Sequence, residues 1–135
     1  MAVAILRTRI QDPIDFTVAD GTAIPKGTLL KLTDPRTAII ADGSGDMLAG
    51  IAARDKIASD GRTQLAVFTK GIFTMQAGAA IAIGAPVMAE GTTANEVITA
   101  SGVIGASVLG YALEAAAGSG DDFQVMVEIN GGAIA

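Results

Sequence analysis

The sequence predicts an all-β fold, and two observations lead to that prediction. The first is an alternation of apolar and polar side chains, which puts Ile14, Phe16 and Val18 on one face of a strand and recurs over residues 123–129. The second is turn chemistry at short intervals, a spacing typical of sandwiches and barrels. The turn segments are Asp20-Gly21, Asp34-Pro35, Asp42-Gly43, Asp60-Gly61, Glu90-Gly91 and Gly118–Asp121.

Short apolar runs lie between these turns, and each run is long enough for one strand. A helical turn is expected at most at residues 52–58 or 75–83, and nothing predicts a long helix. The runs expected to be strands are 28–32, 38–41, 48–53, 64–69, 72–76, 86–89, 96–99 and 108–114.

The order of these strands repeats along the chain. We predict a single β domain over residues 14–135, built from two pseudo-repeats at about 23–76 and 80–132. Each unit is too small to stand alone and would bury one face against the other. Accidental sharing of turn residues by two β segments is the alternative. The matching segments are 23–27 with 80–84, 48–52 with 108–112, and 64–67 with 124–127.

Glycines occupy matching places in the two halves. Gly50 and Gly110 each interrupt a strand pattern, which marks a bulge or a close crossing of two backbones.

The composition argues against catalysis and against nucleic-acid binding. The 135 residues include no cysteine, histidine or tryptophan, so the common general base and the common soft metal ligands are missing. The net charge of −5 would be repelled by a phosphate backbone. We therefore expect no enzyme activity, no cofactor, no metal site and no nucleic-acid partner.

Apolar residues exceed what a small monomer needs. They make up 50% of the chain, while charged residues make up 17%, against roughly 25% in typical soluble domains. We expect the surplus to be buried between subunits. A membrane is excluded as the alternative, because the uncharged stretches 71–89 and 97–113 are broken by glycines and rich in small residues. No secretory signal is recognised at the N-terminus, so synthesis in the cytoplasm is expected.

Two short motifs resemble ligand sites without completing one. Residues 21–28 contain glycines and Lys26, but the order is wrong for a phosphate-binding loop, and a strand rather than a helix follows. Residues 42–46 space oxygen atoms as a calcium loop does, yet the later glutamate is absent. We interpret the second motif, and the similar Asp121-Asp122, as solvated turns.

The first thirteen residues are predicted to form an extended N-terminal arm that ends at a proline. Such an arm can add a strand to a partner or lie along its surface; a terminal strand paired within the chain is the alternative. The residues expected to contact the partner are Ile5, Arg7, Arg9, Ile10 and Pro13.

Charge is distributed unevenly along the chain. All nine basic residues lie within the first 70 positions, and the last 65 residues carry acids only. This asymmetry favours one end of the protein facing an acidic partner, although chance drift of surface charge is an equal alternative.

Six segments share an order of glycines and short apolar strands: Lys26–Leu30, Leu48–Ala52, Val67–Phe73, Gly84–Val87, Leu109–Glu114 and Val125–Ile129. In this order and spacing, residues 20–130 resemble the family of small tailed-phage proteins known as capsid decoration, or cement, proteins. A more distant similarity is to lambda-type head decoration proteins. That second resemblance implies β-tulip-like or barrel-like lobes, a homotrimer and an N-terminal arm that orders on the shell.

These observations predict a structural virion protein that binds the outer surface of an icosahedral capsid at capsomer junctions and stabilises it. Its expected partner is the major capsid protein of the same virus, and no membrane is involved. The alternative is a β-rich module that displays loops to a glycan or a host surface. The residues expected to form the subunit interface are Ile72, Phe73, Val87 and Met88.

Overall fold

A computed structural model describes residues 3–129 of the chain, which form eleven β-strands. Within that part, the only helical segment is a 3-10 turn at Gly105–Ser107, so the helical turns considered for residues 52–58 and 75–83 do not form. No helix among these residues is long and apolar enough to cross a membrane. The strands are β1 (Ile5–Arg9), β2 (Ile14–Thr17), β3 (Leu29–Asp34), β4 (Thr37–Ile40), β5 (Leu48–Ala52), β6 (Gln64–Phe68), β7 (Lys70–Ala77), β8 (Pro86–Ala89), β9 (Glu96–Thr99), β10 (Gly110–Ala112) and β11 (Asp122–Glu128).

The strands close into two small barrels, which confirms the all-β, two-lobed prediction. Barrel 1 has the order β2-β4-β3-β5-β6 and closes on itself. Barrel 2 has the order β7-β11-β10-β8-β9 and closes through a parallel pair between β7 and β9. Strand β1 is added outside barrel 2, antiparallel to β7. Closure leaves few open sheet edges in so small a protein.

Both barrels use the same pairing scheme, as expected for an internal duplication. The parallel pair β2–β4 corresponds to β7–β9, and the antiparallel pairs β3–β4, β3–β5 and β5–β6 correspond to β8–β9, β8–β10 and β10–β11. Even the isolated bridge Ile24–Lys56 recurs as Ile81–Ala116. The boundary between the units differs from the predicted one, because β7 pairs with β11 and β9 and so opens the second barrel.

The pairing register also corrects part of the sequence alignment. Phe68 lies opposite Ile51 in barrel 1, and Met126 lies opposite Tyr111 in barrel 2. Because Ile51 and Tyr111 are equivalent, Phe68 and Met126 are equivalent too. The sequence match of 64–67 with 124–127 would instead place Phe68 at Glu128, two residues further along. Similar residue types at every second position made the two registers hard to separate by sequence.

A shared core joins the barrels. Leu29, Leu48, Ile51 and Phe68 belong to barrel 1, yet they pack with the buried interior of barrel 2 rather than with that of barrel 1. The ring of Phe68 meets that of Phe73 edge-on, with 5.7 Å between centroids. Each such side chain contributes about 1.5–3 kcal/mol when fully buried, so the barrels form one cooperative unit.

Two glycines mark close crossings of neighbouring strands, as the sequence predicted. A Cβ placed on Gly50 would overlap the carbonyl oxygen of Phe68, and one placed on Gly110 would overlap that of Met126. Any side chain would therefore push apart the two strands that each barrel needs in order to close.

Candidate interaction surfaces

The residues predicted to form an extended arm lie mainly in and beside β1, at the edge of the six-stranded sheet. Met1 and Ala2 fall outside the described residues. Ile5 is 50% exposed and Ile10 is 51% exposed, while Pro13 is half-buried. The pairing with β7 runs from Ile5 to Arg9, interrupted by a bulge before Thr8. Within the single chain, this segment is thus a paired strand rather than a free extension.

The two arginines of β1 are exposed but have partners. The Nε of Arg7 donates a hydrogen bond to Oγ1 of Thr74 at 2.8 Å. Arg9 forms an ion pair with Asp12 at 3.3 Å, and its guanidinium lies over the ring of Phe68, 5.6 Å from the centroid. Cation–π contacts of this kind contribute about 0.5–1 kcal/mol at exposed sites. The side chains of β1 therefore add modest contacts to its backbone pairing with β7 and to the packing of Leu6 on the shared core.

The predicted subunit-interface residues divide into buried and outward-facing ones. Phe73 is 1% exposed and Val87 is 0% exposed, because both point into barrel 2 and pack in the shared core. Met88, at 8%, packs in a separate small cluster. A side chain already buried in its own chain has no surface left for a partner, so Phe73 and Val87 are corrected from interface to core. Ile72 is half-buried and points outward.

The outer face of barrel 2 carries an apolar row that crosses neighbouring strands. Strand pairing places Pro86 beside Tyr111, Tyr111 beside Met126, and Met126 beside Ile72. Tyr111 is 42% exposed, and it lines a shallow depression of about 210 Å³ together with Met126 and Ile10. Tyr111 and Met126 were not among the interface residues predicted from the sequence. The alternation that buries Val125 and Val127 was the available signal, since it turns the residue between them outward.

A buried cation ties together the loops at one end of barrel 1. The side chain of Lys56 is 1% exposed. Its Nζ donates to Asp20 Oδ1 at 3.0 Å, to Asp60 Oδ1 at 2.7 Å, and to the carbonyl oxygens of Asp20 and Ile57. Nothing in the sequence singled out this lysine, because its partners come from separate turns.

The charges around this cation shift two pKa values. Burial lowers the pKa of Lys56, but the hydrogen bonds that it donates to Asp60 and Asp20 outweigh burial, so its pKa lies above the usual value for lysine. The hydrogen bond from Lys56, joined by the backbone N–H of Arg62, lowers the pKa of Asp60 to about 2. Ala116 occupies the equivalent place in barrel 2, so only barrel 1 carries this ionic link.

The aspartates of the two acidic loops accept hydrogen bonds from the backbone of their own turns. Oδ2 of Asp46 accepts hydrogen bonds from the N–H groups of Asp42 and Gly43, and Oδ2 of Asp121 accepts from those of Ala117 and Gly118. Both are turn-closing contacts. Between residues 3 and 129, no three acidic side chains gather closely enough to hold a metal ion.

A polar depression of about 290 Å³ lies on barrel 1, with Arg54, Arg62 and Gln64 among its lining residues. Both arginines are exposed, and over residues 3–129 neither forms an ion pair within 4.0 Å. Asp15 and Asp55 line the same depression, so its charge is mixed, and it lies on barrel 1 whereas the apolar row lies on barrel 2.

The described chain is thus an all-β protein of two fused barrels, and its candidate binding surfaces are an open edge strand and an exposed apolar row. Comparison with known proteins identifies the family: the phage cement protein model matches residues 8–129, and the chain belongs to that family. It is therefore a phage capsid-associated structural protein and a component of the virion. No curated protein matches the chain.

A solved structure shares the fold. The crystal structure of the N base of head fiber gp8.5 from bacteriophage phi29 aligns with a TM-score of 0.54 and 15% identity, covering 99% of this chain and 100% of that one. At this identity the likeness supports the fold alone. The tandem-barrel architecture is thus also found in a phage head fiber protein.

Proposed function

We propose that the protein binds the outer surface of an icosahedral capsid at the junctions between capsomers and stabilises the shell. Its partner is the major capsid protein of the same virus, and it binds as a homotrimer. The protein is made in the host cytoplasm and ends on the capsid exterior. Membership of the phage cement family supports a capsid partner, and the surface of β1 supports the particular contact.

The observation that carries the proposal is the open edge of β1. Among the described residues, β1 pairs only with β7, so the N–H and C=O groups on its other side face outward. An open edge of this kind can accept a strand from a partner. Exposed Ile5 and Ile10 supply apolar contact, and Arg7 and Arg9 supply positive charge along the same strand.

The bulge at Arg7 and the exposure of the strand also favour a second arrangement, in which residues 1–13 leave β7 and lie on the shell. The side-chain hydrogen bonds of Arg7 and Arg9 are exposed, and exposed hydrogen bonds are the first to open in a folded protein. Detachment would also uncover Ala4 and Leu6, which pack on the shared core, so the capsid contact has to offset that loss. In both arrangements, the basic side chains of β1 meet an acidic capsid surface.

Co-sedimentation with capsids that lack the protein tests this contact. The variant Arg7→Glu/Arg9→Glu is expected to bind at least about tenfold more weakly than the wild type, because like charges then face each other. Arg54→Glu/Arg62→Glu is the matched control, since it makes the same charge change on exposed arginines elsewhere. Equal binding by both double variants would rule out β1 as the capsid contact. No binding by the wild type would refute the cement function itself.

Light scattering after size-exclusion chromatography tests the oligomeric state. A homotrimer has three times the chain mass of 13.5 kDa at every salt concentration that leaves the protein folded. The apolar surplus of the composition supports this state, because a 135-residue monomer has little need for 50% apolar residues. A stable monomer at high concentration would contradict the trimer.

A further inference from the structure

The two barrels present equivalent apolar faces, but only one of them is fully covered. In barrel 1 the face consists of Leu29, Leu48, Ile51 and Phe68, whose exposed fractions are 1%, 4%, 0% and 4%. These side chains point away from the interior of barrel 1 and are buried by barrel 2 and β1. This is the contact that joins the two barrels.

The strand pairing locates the equivalent face on barrel 2. Leu30 pairs with Gly50 and Val87 pairs with Gly110, which matches β3 with β8 and β5 with β10. The residues equivalent to the buried four are therefore Pro86, Val108, Tyr111 and Met126. All four are apolar or aromatic, as their counterparts are. Val108 is 8% exposed because it packs with Met88 and Ala100, whereas Tyr111 is 42% exposed and Pro86 and Met126 are only half-buried.

The group that covers the barrel 1 face also has a counterpart. Asn95, in the loop between β8 and β9, has a φ of 64° and accepts a hydrogen bond from the N–H of Leu29 at 2.8 Å. The corresponding loop of barrel 1 is the tight turn between β3 and β4, where Arg36 has a φ of 50°. In barrel 1 this turn is exposed and contacts no other barrel within the described chain.

We propose that the face formed by Pro86, Tyr111 and Met126 binds barrel 1 of a second copy of this chain, which inserts its β3–β4 turn as the Asn95 loop does within the chain. The contact is head-to-tail, so each copy uses a different surface on each side. This inference rests on the self-association proposed above and names the surfaces involved. A head-to-tail contact closes into a ring when the rotation from one copy to the next is a whole fraction of a full turn, which is one third for a trimer.

Charge favours a head-to-tail contact over a face-to-face one. From residue 71 to the C-terminus the sequence has six acids and no base, whereas residues 1–70 carry nine bases and eight acids. Two barrel 2 faces would therefore bring together two regions that, apart from Lys70 beside Glu128, carry acids alone. A barrel 2 face against barrel 1 reduces that repulsion, because barrel 1 carries bases as well as acids.

The hydrogen bond between Leu29 and Asn95 has no equivalent at the proposed contact between copies, because both its donor and its acceptor are replaced. Within the chain, the N–H of Leu29 finds its acceptor in Asn95. At the contact between copies, the equivalent positions are Pro86, which has no N–H, and Arg36, whose side chain has no acceptor. No backbone N–H is therefore left unpaired at Pro86, and the guanidinium of Arg36 already donates to the carbonyl oxygen of Asp15.

Sedimentation equilibrium tests whether Tyr111 lies in a contact between copies. Tyr111→Lys is expected to raise the dissociation constant of self-association about 10- to 100-fold, because an aromatic anchor is replaced by a charge. Ile57→Lys is the matched control, since Ile57 is 68% exposed and has no counterpart among the residues that join the barrels. Far-UV circular dichroism verifies that both variants fold. Unchanged self-association of folded Tyr111→Lys would overturn the proposal.

Cysteine cross-linking separates the two geometries and does not need a capsid. The chain has no cysteine, so introduced thiols are unique. A mixture of Tyr111→Cys and Pro35→Cys chains is expected to form a mixed disulfide under mild oxidation. A disulfide between two Tyr111→Cys chains without the mixed product would overturn the head-to-tail contact, and so would the absence of any cross-link. Capsid binding is measured separately, so failure of the cement function leaves this result interpretable.

Discussion

Replacing Gly110 with alanine is expected to lower the free energy of unfolding by about 3 kcal/mol. A Cβ at this position would overlap the carbonyl oxygen of Met126 and lie 2.8 Å from its carbonyl carbon and 3.0 Å from the Cα of Val127. These are backbone atoms, so no change of rotamer relieves the overlap. Gly110 lies outside the left-handed region, and the cost is therefore steric.

The overlap affects the closure of barrel 2 as a whole. β10 pairs with β11 on one side and with β8 on the other, through only three and two residue pairs. Moving β10 away from β11 by roughly 1 Å would stretch this short ladder and loosen the packing of Leu109 and Ala112 in the shared core. Urea unfolding followed by far-UV circular dichroism measures the loss.

Gly118→Ala is the matched control for this substitution. No atom lies within 4 Å of a Cβ at Gly118, and its φ is not in the left-handed region. The control is therefore expected to be neutral or more stable by up to about 1 kcal/mol. If Gly110→Ala unfolded at the same urea concentration as Gly118→Ala, with the same slope, the close crossing of β10 and β11 would be wrong.

Three further predictions concern buried contacts. Ile51→Ala is expected to lower the free energy of unfolding by about 2–5 kcal/mol, because Ile51 is buried between the barrels. Tyr111→Ala is expected to lower it by less than about 1 kcal/mol in the monomer, because Tyr111 is exposed. Equal losses in urea unfolding would contradict the difference in burial between these two equivalent positions. Asn95→Ala removes the acceptor for the first N–H of β3 and is expected to cost about 1–3 kcal/mol, with faster amide exchange there; unchanged exchange would argue against the bond. Because Lys56 lowers the pKa of Asp60 from 3.8 to about 2, this link stabilises the protein above pH 3.8 and is lost as the pH falls through 2. Thermal unfolding of the wild type and of Asp60→Asn checks it, and identical acid profiles would refute it.

Local patterns predicted most of the strands and the duplication. Alternation along residues 123–129 indicated β11, and turn residues such as Asp34-Pro35 separated β3 from β4. These features are determined by neighbours in sequence, because side-chain direction in a strand has a period of two and turns depend on a few φ angles. Gly50 and Gly110 could also be predicted to mark strand crossings, because each interrupts a local strand pattern.

The surfaces were predicted less well. Phe73 and Val87 were expected at a subunit interface, and both lie in the core because they point inward. Apolar character alone does not distinguish a side chain buried within the chain from one buried between chains. The first thirteen residues were expected to be an arm or a paired terminal strand, and local sequence could not decide between them because pairing with β7 depends on a contact across more than sixty residues of sequence.

The sequence by itself determined the strands, the turns, the repeated order and the excess of apolar residues, since all of these follow from local periodicity and composition. Only the tertiary structure decided which strands close each barrel, that Lys56 is buried among two aspartates, and that Ile51 is covered while Tyr111 is exposed. Those facts depend on how the two barrels lie against each other. Two equivalent apolar faces in a row cannot both be covered by one neighbouring barrel, so one of them is left exposed.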